Sequence, residues 1–177
     1  MRAFLFSIVM VVLASCSATG DLDAPVKPLG NFKMGLIVPK AAADLQKGPL
    51  SRSATAEEWE GAVKTAFTTR FSRFQGTRTV DIGVVIDGYV LAQVGVPVVA
   101  APKSVVLMRI ILVDAETQQV LNEPHQISAF ESFVPGSVVS SGLANTREEQ
   151  LVDLANAAAR ATETWMRKQP WFSDDET

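Results

Sequence analysis

Residues 80–113 read VDIGVVIDGYVLAQVGVPVVAAPKSVVLMRIILV, and this stretch decides the fold class. It is dense in valine and isoleucine, the β-branched residues that favour strands. Asp81, Asp87, Lys103 and Arg109 are its only charges. Gly95, Pro97 and Pro102 interrupt it, and prolines inside a run argue against one continuous strand. The reading is therefore one strand at about 79–91 and a second at about 104–113. Gly83, Gly88 and Gly95 form no G-x-G-x-x-G and no phosphate loop, so they read as bulges or turns.

Outward from this centre lie two helices. Thr55 followed three residues later by Glu58 is a capping box, and Thr146 with Glu149 repeats it. Trp59, Val63, Phe67, Phe71 and Phe74 then recur at three- or four-residue spacing, with Gly76 as the stop. After Thr146 the matching stripe is Leu151, Leu154, Ala155, Ala158, Ala161, Trp165 and Met166, ended by Pro170. The central alanines permit close approach to a sheet. Phe32–Val38 reads as a first strand ended by Pro39, followed by a polar stretch to Ser53. A third sheet-heart strand is expected near Val120–Phe133 with a break at Pro124. The order is β-α-β-β-β-α. The expected class is α+β, two layers, with two helices on one face of a mostly antiparallel sheet of three or four strands. Val63, Phe67, Leu107, Ile111, Leu154, Ala158 and Trp165 are the expected core.

The first sixteen residues carry a different message. Arg2 supplies positive charge, and Ala3–Leu13 is an apolar stretch of eleven residues broken only by Ser7. That is the plan of a secretory signal, and it falls short of the roughly 20 residues needed to span a bilayer. Leu13-Ala14-Ser15-Cys16 follows, and Cys16 is the only cysteine. These four residues resemble the lipobox of bacterial lipoproteins at every position. The resemblance implies cleavage before Cys16, a diacylglycerol on its thiol and acylation of the new amino group. Such chains anchor durably, since each buried methylene contributes about 0.8 kcal/mol. In well-studied lipoproteins an aspartate after the cysteine favours the inner membrane; Ser17 stands here, so the outer membrane is expected. The domain plan is then a signal peptide at 1–15, lipidated Cys16 with a flexible tether to residue 30, one α+β domain at 31–172, and an acidic tail at 173–177.

The lipobox, the Glu57–Phe74 helix, the Val105–Asp114 strand with its VDAETQQVLNEP hairpin and the closing helix together resemble a family of small uncharacterised alphaproteobacterial lipoproteins. That resemblance covers most of residues 30–170 and brings no functional residues with it, because the family has no established activity. The element order is also similar to that of small envelope lipoprotein modules, including transport auxiliary lipoproteins.

Composition narrows the function classes. The chain has 177 residues, 47% hydrophobic and 20% charged, an ordinary globular balance. Removing the leader, which holds Arg2 alone, leaves 15 basic and 19 acidic residues and a net charge of −4. That argues against a nucleic-acid partner. One cysteine allows no internal disulfide and no thiolate cluster, and with His125 the only histidine a zinc site would need carboxylates for nearly all its ligands. No cofactor is expected. A hydrolase reading requires His125 with Ser137, Ser140 or Ser141 and with Asp87 or Asp114, and no G-x-S-x-G elbow supports it.

Three surface features remain. Lys64, Arg70, Arg73 and Arg78 occupy a span without acids and read either as a solvated helix end or as a face for anionic headgroups. Residues 89–101 are uncharged; Val94, Val96, Val98 and Val99 either pack into the core or form an exposed tip for a partner or bilayer. Trp171 and Phe172, beyond Pro170, either cover the sheet or contact something else. The leading expectation is a periplasm-facing, membrane-anchored accessory protein without catalysis that binds an envelope partner. The alternative is a carrier of lipid or another apolar ligand, with a cavity lined by Phe67, Phe71, Val84 and Leu107.

Overall fold

The computed structural model describes residues 22–93, 104–131 and 146–172. Strand β1 (Phe32–Lys47) leads into helix α1 (Ala56–Phe71), then strands β2 (Arg78–Val90), β3 (Val105–Asp114) and β4 (His125–Phe130), helix α2 (Arg147–Met166) and a closing 3-10 turn (Pro170–Phe172). The sheet order is β1-β2-β3-β4. β1 runs parallel to β2, with α1 supplying the crossover that a parallel pair needs, and the other two pairings are antiparallel. The β-α-β-β-β-α order and the α+β class are those expected from sequence.

Both capping boxes form. The Thr55 hydroxyl accepts from the Glu58 N–H at 3.2 Å while Glu58 accepts from the Thr55 N–H at 2.7 Å. Thr146 and Glu149 repeat the exchange at 3.1 and 2.7 Å. The helices lie side by side and point the same way: Glu58 meets Arg147 at their N-terminal ends and Arg70 meets Glu163 at their C-terminal ends. Trp59, Val63, Phe67 and Phe71 from α1 and Leu151, Leu154, Ala155 and Ala158 from α2 are buried against Val80, Ile82, Val84, Ile86, Val106, Met108, Ile110 and Leu112. At the end where the chain enters, Phe32 sits edge-on to Phe71, Phe74 and Phe172, with ring centroids 5.6–5.9 Å apart. Edge-to-face pairs of this kind add about 0.5–1.5 kcal/mol each beyond burial.

Five local expectations are corrected. β1 does not end at Pro39 but runs on to Lys47. It is an edge strand, where a missing N–H is tolerated, and register shifts after Met34 and Ala41 bend it. α1 stops at Phe71, with Ser72 as its cap, rather than at Gly76. Residues 120–124 do not continue a strand. Val120 makes a single bridge to Val113, and the Asn122 side chain takes the place of strand backbone, accepting from Leu112 N–H at 2.8 Å and donating to the Ile110 carbonyl at 3.0 Å. Finally, Leu107 and Ile111 are half-buried on the face of the sheet away from the helices, while Met108 and Ile110 point into the core. β3 has apolar residues on both faces, and the exposed Arg109 between Leu107 and Ile111 is the one sign in the strand of which face looks outward. Trp165 is likewise half-buried rather than core.

Candidate functional site

The described surface offers three places where side chains converge. The first is a groove between the helices on their solvent side. Beyond Glu58, α1 presents small residues there (Gly61, Ala62, Thr65, Ala66 and Thr69), and α2 answers with Leu151, Val152 and Asn156 around a volume of about 480 Å³. A methyl group at Gly61 would meet no atom within 4 Å, so the helix leaves this side open. Val152 is 50% exposed at its edge. One mouth is closed by the bidentate contact of Arg147 with Glu58, at 2.6 and 2.8 Å. The Arg147 hydrogen bond, with that from the Thr55 backbone, pulls the Glu58 carboxyl down to about 2. Below the groove, Glu163 accepts from buried Arg70 at 2.7 Å and from Arg167 at 2.6 and 3.0 Å. The Thr65 hydroxyl donates to the Gly61 carbonyl at 3.0 Å. The groove is thus a mainly apolar trough between two ion pairs, without a nucleophile set beside a base.

The second place is His125, at the start of β4. Its ring stacks on Trp165, centroids 4.3 Å apart and planes 5° from parallel. Ala157, Arg160, Ala161, Thr164 and Lys168 line the shallow hollow around it. Burial pushes the imidazole pKa down, which favours the neutral ring. The carboxylates considered for a triad are committed elsewhere. Asp87 holds Arg109 at 2.6 and 2.8 Å. Asp114 accepts from the Glu116 and Thr117 backbone at 3.1 and 3.0 Å and from Arg78 at 2.9 Å, which together bring it to about 2, the Thr117 contact leading. Ser137, Ser140 and Ser141 lie outside the described residues. Among the described residues no cluster of His, Cys, Asp or Glu is arranged to hold a metal ion.

The third place is the end of the domain where the chain enters. Arg73 donates to the Ala24 carbonyl at 3.0 Å, and Arg167 donates to the Lys27 and Pro28 carbonyls at 3.0 and 2.9 Å. Thr77 N–H bonds Asn31 at 3.0 Å. Gly30 takes a positive φ of 48°, and a side chain there would press on the Phe172 backbone. The basic span singled out in the sequence is therefore largely used within the domain: Arg70, Arg73 and Arg78 hold Glu163, the incoming backbone and Asp114, while Lys64 is exposed.

Of the other sequence candidates, Trp171 is half-buried and edge-on to Phe172 at 6.1 Å. Cys16, Val94, Val96, Val98 and Val99 lie outside the described residues. The four residues proposed to line a carrier cavity do not share one: Phe67, Phe71 and Val84 are packed in the core, and Leu107 faces the other side of the sheet. Sequence reading missed the interhelical groove. Its signal was Gly61, Thr65 and Thr69 at four-residue spacing, flanked by Ala62 and Ala66.

No protein-family model matches the chain and no curated protein matches it. Solved structures resemble it. A protein of Xanthomonas campestris described under the family DUF330 aligns at 12% identity and a TM-score of 0.43, covering 80% of this chain and 91% of its own. A minor lipoprotein of Acinetobacter baumannii aligns at 11% identity and 0.34, covering 75% and 93%. PelC of Paraburkholderia phytofirmans, solved as a dodecamer, aligns at 7% identity and 0.38, covering 78% and 94%. Among the described residues no helix is long and apolar enough to cross a membrane.

Proposed function

We propose that this chain is a cell-envelope lipoprotein, anchored through Cys16 and facing the periplasm, that works without catalysis as an accessory, partner-binding subunit. The observation that carries the reading is the sequence Leu13-Ala14-Ser15-Cys16 directly after an apolar stretch of eleven residues, in a chain with no other cysteine. Lipidation needs one thiol preceded by small side chains, and this arrangement supplies it. Ser17 at the next position favours the outer membrane over the inner.

The domain's own chemistry supports a binding role over a catalytic one. His125 is stacked on Trp165, and Asp87 and Asp114 are engaged by arginines. What the surface offers is the apolar trough between α1 and α2, held open by small side chains. Buried apolar contact supplies most of the driving force of protein association. The test is Cys16→Ala in cells fed a clickable fatty-acid analogue, with fractionation and affinity purification from membranes. Label is expected to vanish in the variant, which should remain as an uncleaved or mislocalised precursor that no longer co-purifies its envelope partner. Equal label on the variant refutes the reading.

A further inference from the structure

The anchored reading leaves open which part of the domain meets the bilayer, and the fold answers it. Resting on that reading, we infer that the end carrying Val26, Lys27, Val120, Lys168 and Trp171 lies against the phospholipid headgroups, and that the end carrying Leu50, Gln93 and Phe130 points away from the membrane.

The hydrogen bonds from Arg73 to the Ala24 carbonyl and from Arg167 to those of Lys27 and Pro28 fix the entry point at the C-terminal ends of both helices. From Ala24 back to Cys16 is eight residues, a leash of at most about 26–29 Å when fully extended. β2 alone, thirteen residues long, spans about 40 Å at 3.3 Å per residue. The starts of β1 and β2 lie at the entry end, since Phe32 pairs with Arg78, and so does the turn after β3. The ends of β1 and β2 and the start of β3 lie at the other, where Lys47 pairs with Tyr89 and Val90 with Val105. A leash shorter than the domain cannot bring the far end onto the membrane while the entry end is held away from it, so the entry end is the one set against the surface.

That end also has interfacial chemistry. Val120 is 63% exposed at the β3–β4 turn and Val26 is 37% exposed on the incoming segment. Trp171 is half-buried, and Lys27 and Lys168 are exposed. Tryptophan settles at headgroup level, and lysine buries its stem while its ammonium stays wet. Asp23, Glu116 and Glu123 are exposed at the same end, so the contact is a mixed apolar and aromatic one rather than a basic patch. The opposite end exposes Leu50 and Phe130, so exposed apolar area alone would not choose between the two ends. The leash decides.

The test uses the lipidated full chain in vesicles of phosphatidylethanolamine and phosphatidylglycerol that carry a spin-labelled headgroup quencher. With the Cys16 thiol consumed by its lipid, Lys168→Cys and Gln93→Cys each offer one reactive thiol for a fluorophore. Quenching at position 168 is expected to exceed that at 93 by at least threefold. Equal quenching, or more at 93, overturns the orientation. Val26→Asp combined with Val120→Asp alters two exposed positions and should at least halve quenching at 168 while the chain still floats with the vesicles. Unchanged quenching there overturns the assigned contact. A wild-type chain that fails to float, like Cys16→Ala, overturns the anchored reading itself and the orientation with it.

Discussion

Glu163 joins the C-terminal ends of the two helices through one carboxylate. Its carboxylate accepts from Arg70 at 2.7 Å and from Arg167 at 2.6 and 3.0 Å. The Arg70 side chain is 5% exposed and that of Glu163 15%, whereas Arg167 is 32% exposed. Burial works to raise the Glu163 pKa, but the hydrogen bonds from Arg167 and Arg70 outweigh it and hold it below the usual carboxylate range. Glu163→Ala leaves the Arg70 charge buried with its carboxylate gone, and breaking such a pair costs about 3–5 kcal/mol. Arg167 has solvent available, so the loss sits mainly on Arg70. Glu163→Gln keeps one acceptor and should cost less, about 2 kcal/mol. For a domain of this size 3 kcal/mol corresponds to a fall in Tm of roughly 6–12 °C. Urea unfolding followed by circular dichroism reads the difference. The paired replacement Arg70→Met with Glu163→Leu should recover most of the stability, because apolar side chains of similar volume commonly substitute for a buried ion pair. If Glu163→Ala costs under about 1 kcal/mol, the pair behaves as a surface contact and the reasoning fails.

Met108→Ala should cost about 2–5 kcal/mol and Leu107→Ala distinctly less, since only the first side chain faces the helices; equal losses in chemical denaturation would contradict the assigned face of β3. A methyl group on Gly76 would run into the Asn31 carbonyl, so Gly76→Ala should destabilise by about 1–3 kcal/mol, and an unchanged Tm would show that the loop can yield. Acid should weaken the fold. Glu58 and Asp114 titrate near 2 in the folded chain against 4.5 and 3.8 unfolded, so the unfolded chain binds protons first and their contribution, full above about pH 5, drains away as pH falls toward 2. Glu163 and His125, also lowered, add to that loss; Asp153, which burial and then Glu131 and Glu149 push up, works against it. A urea midpoint that stays constant from pH 7 to about 3 would contradict this.

Much of the fold was readable because local and global signals agree. Thr55 with Glu58 and Thr146 with Glu149 announce helix starts whose side-chain exchange is complete within one turn. The stripes that follow bury the residues their spacing selects, apart from the C-terminal rim of α2, where Trp165 stacks on His125 instead of entering the core. Strand ends were less legible, since they depend on partners far along the chain. Pro39 breaks a central strand but not an edge, and only the pairing with β2 reveals β1 as an edge. Asn122 reads as a loop residue until Ile110 and Leu112 are seen beside it. The lipobox-like Leu13-Ala14-Ser15-Cys16 is read from sequence alone, and it lies outside the described residues. The interhelical groove was not legible, because small residues outside an apolar stripe look like ordinary solvated surface, and only the opposing α2 turns them into a trough.

The central claim is that Cys16 becomes the lipid-bearing first residue of the mature chain. Intact mass spectrometry of the protein extracted from membranes tests it most directly, followed by fragmentation of its N-terminal peptide. The expected N-terminus is Cys16, with residues 1–15 removed, a diacylglyceryl group on the sulfur and an acyl chain on the amino group. A mature chain that retains Met1–Ser15, or one that starts at another residue with an unmodified Cys16 thiol, would contradict it.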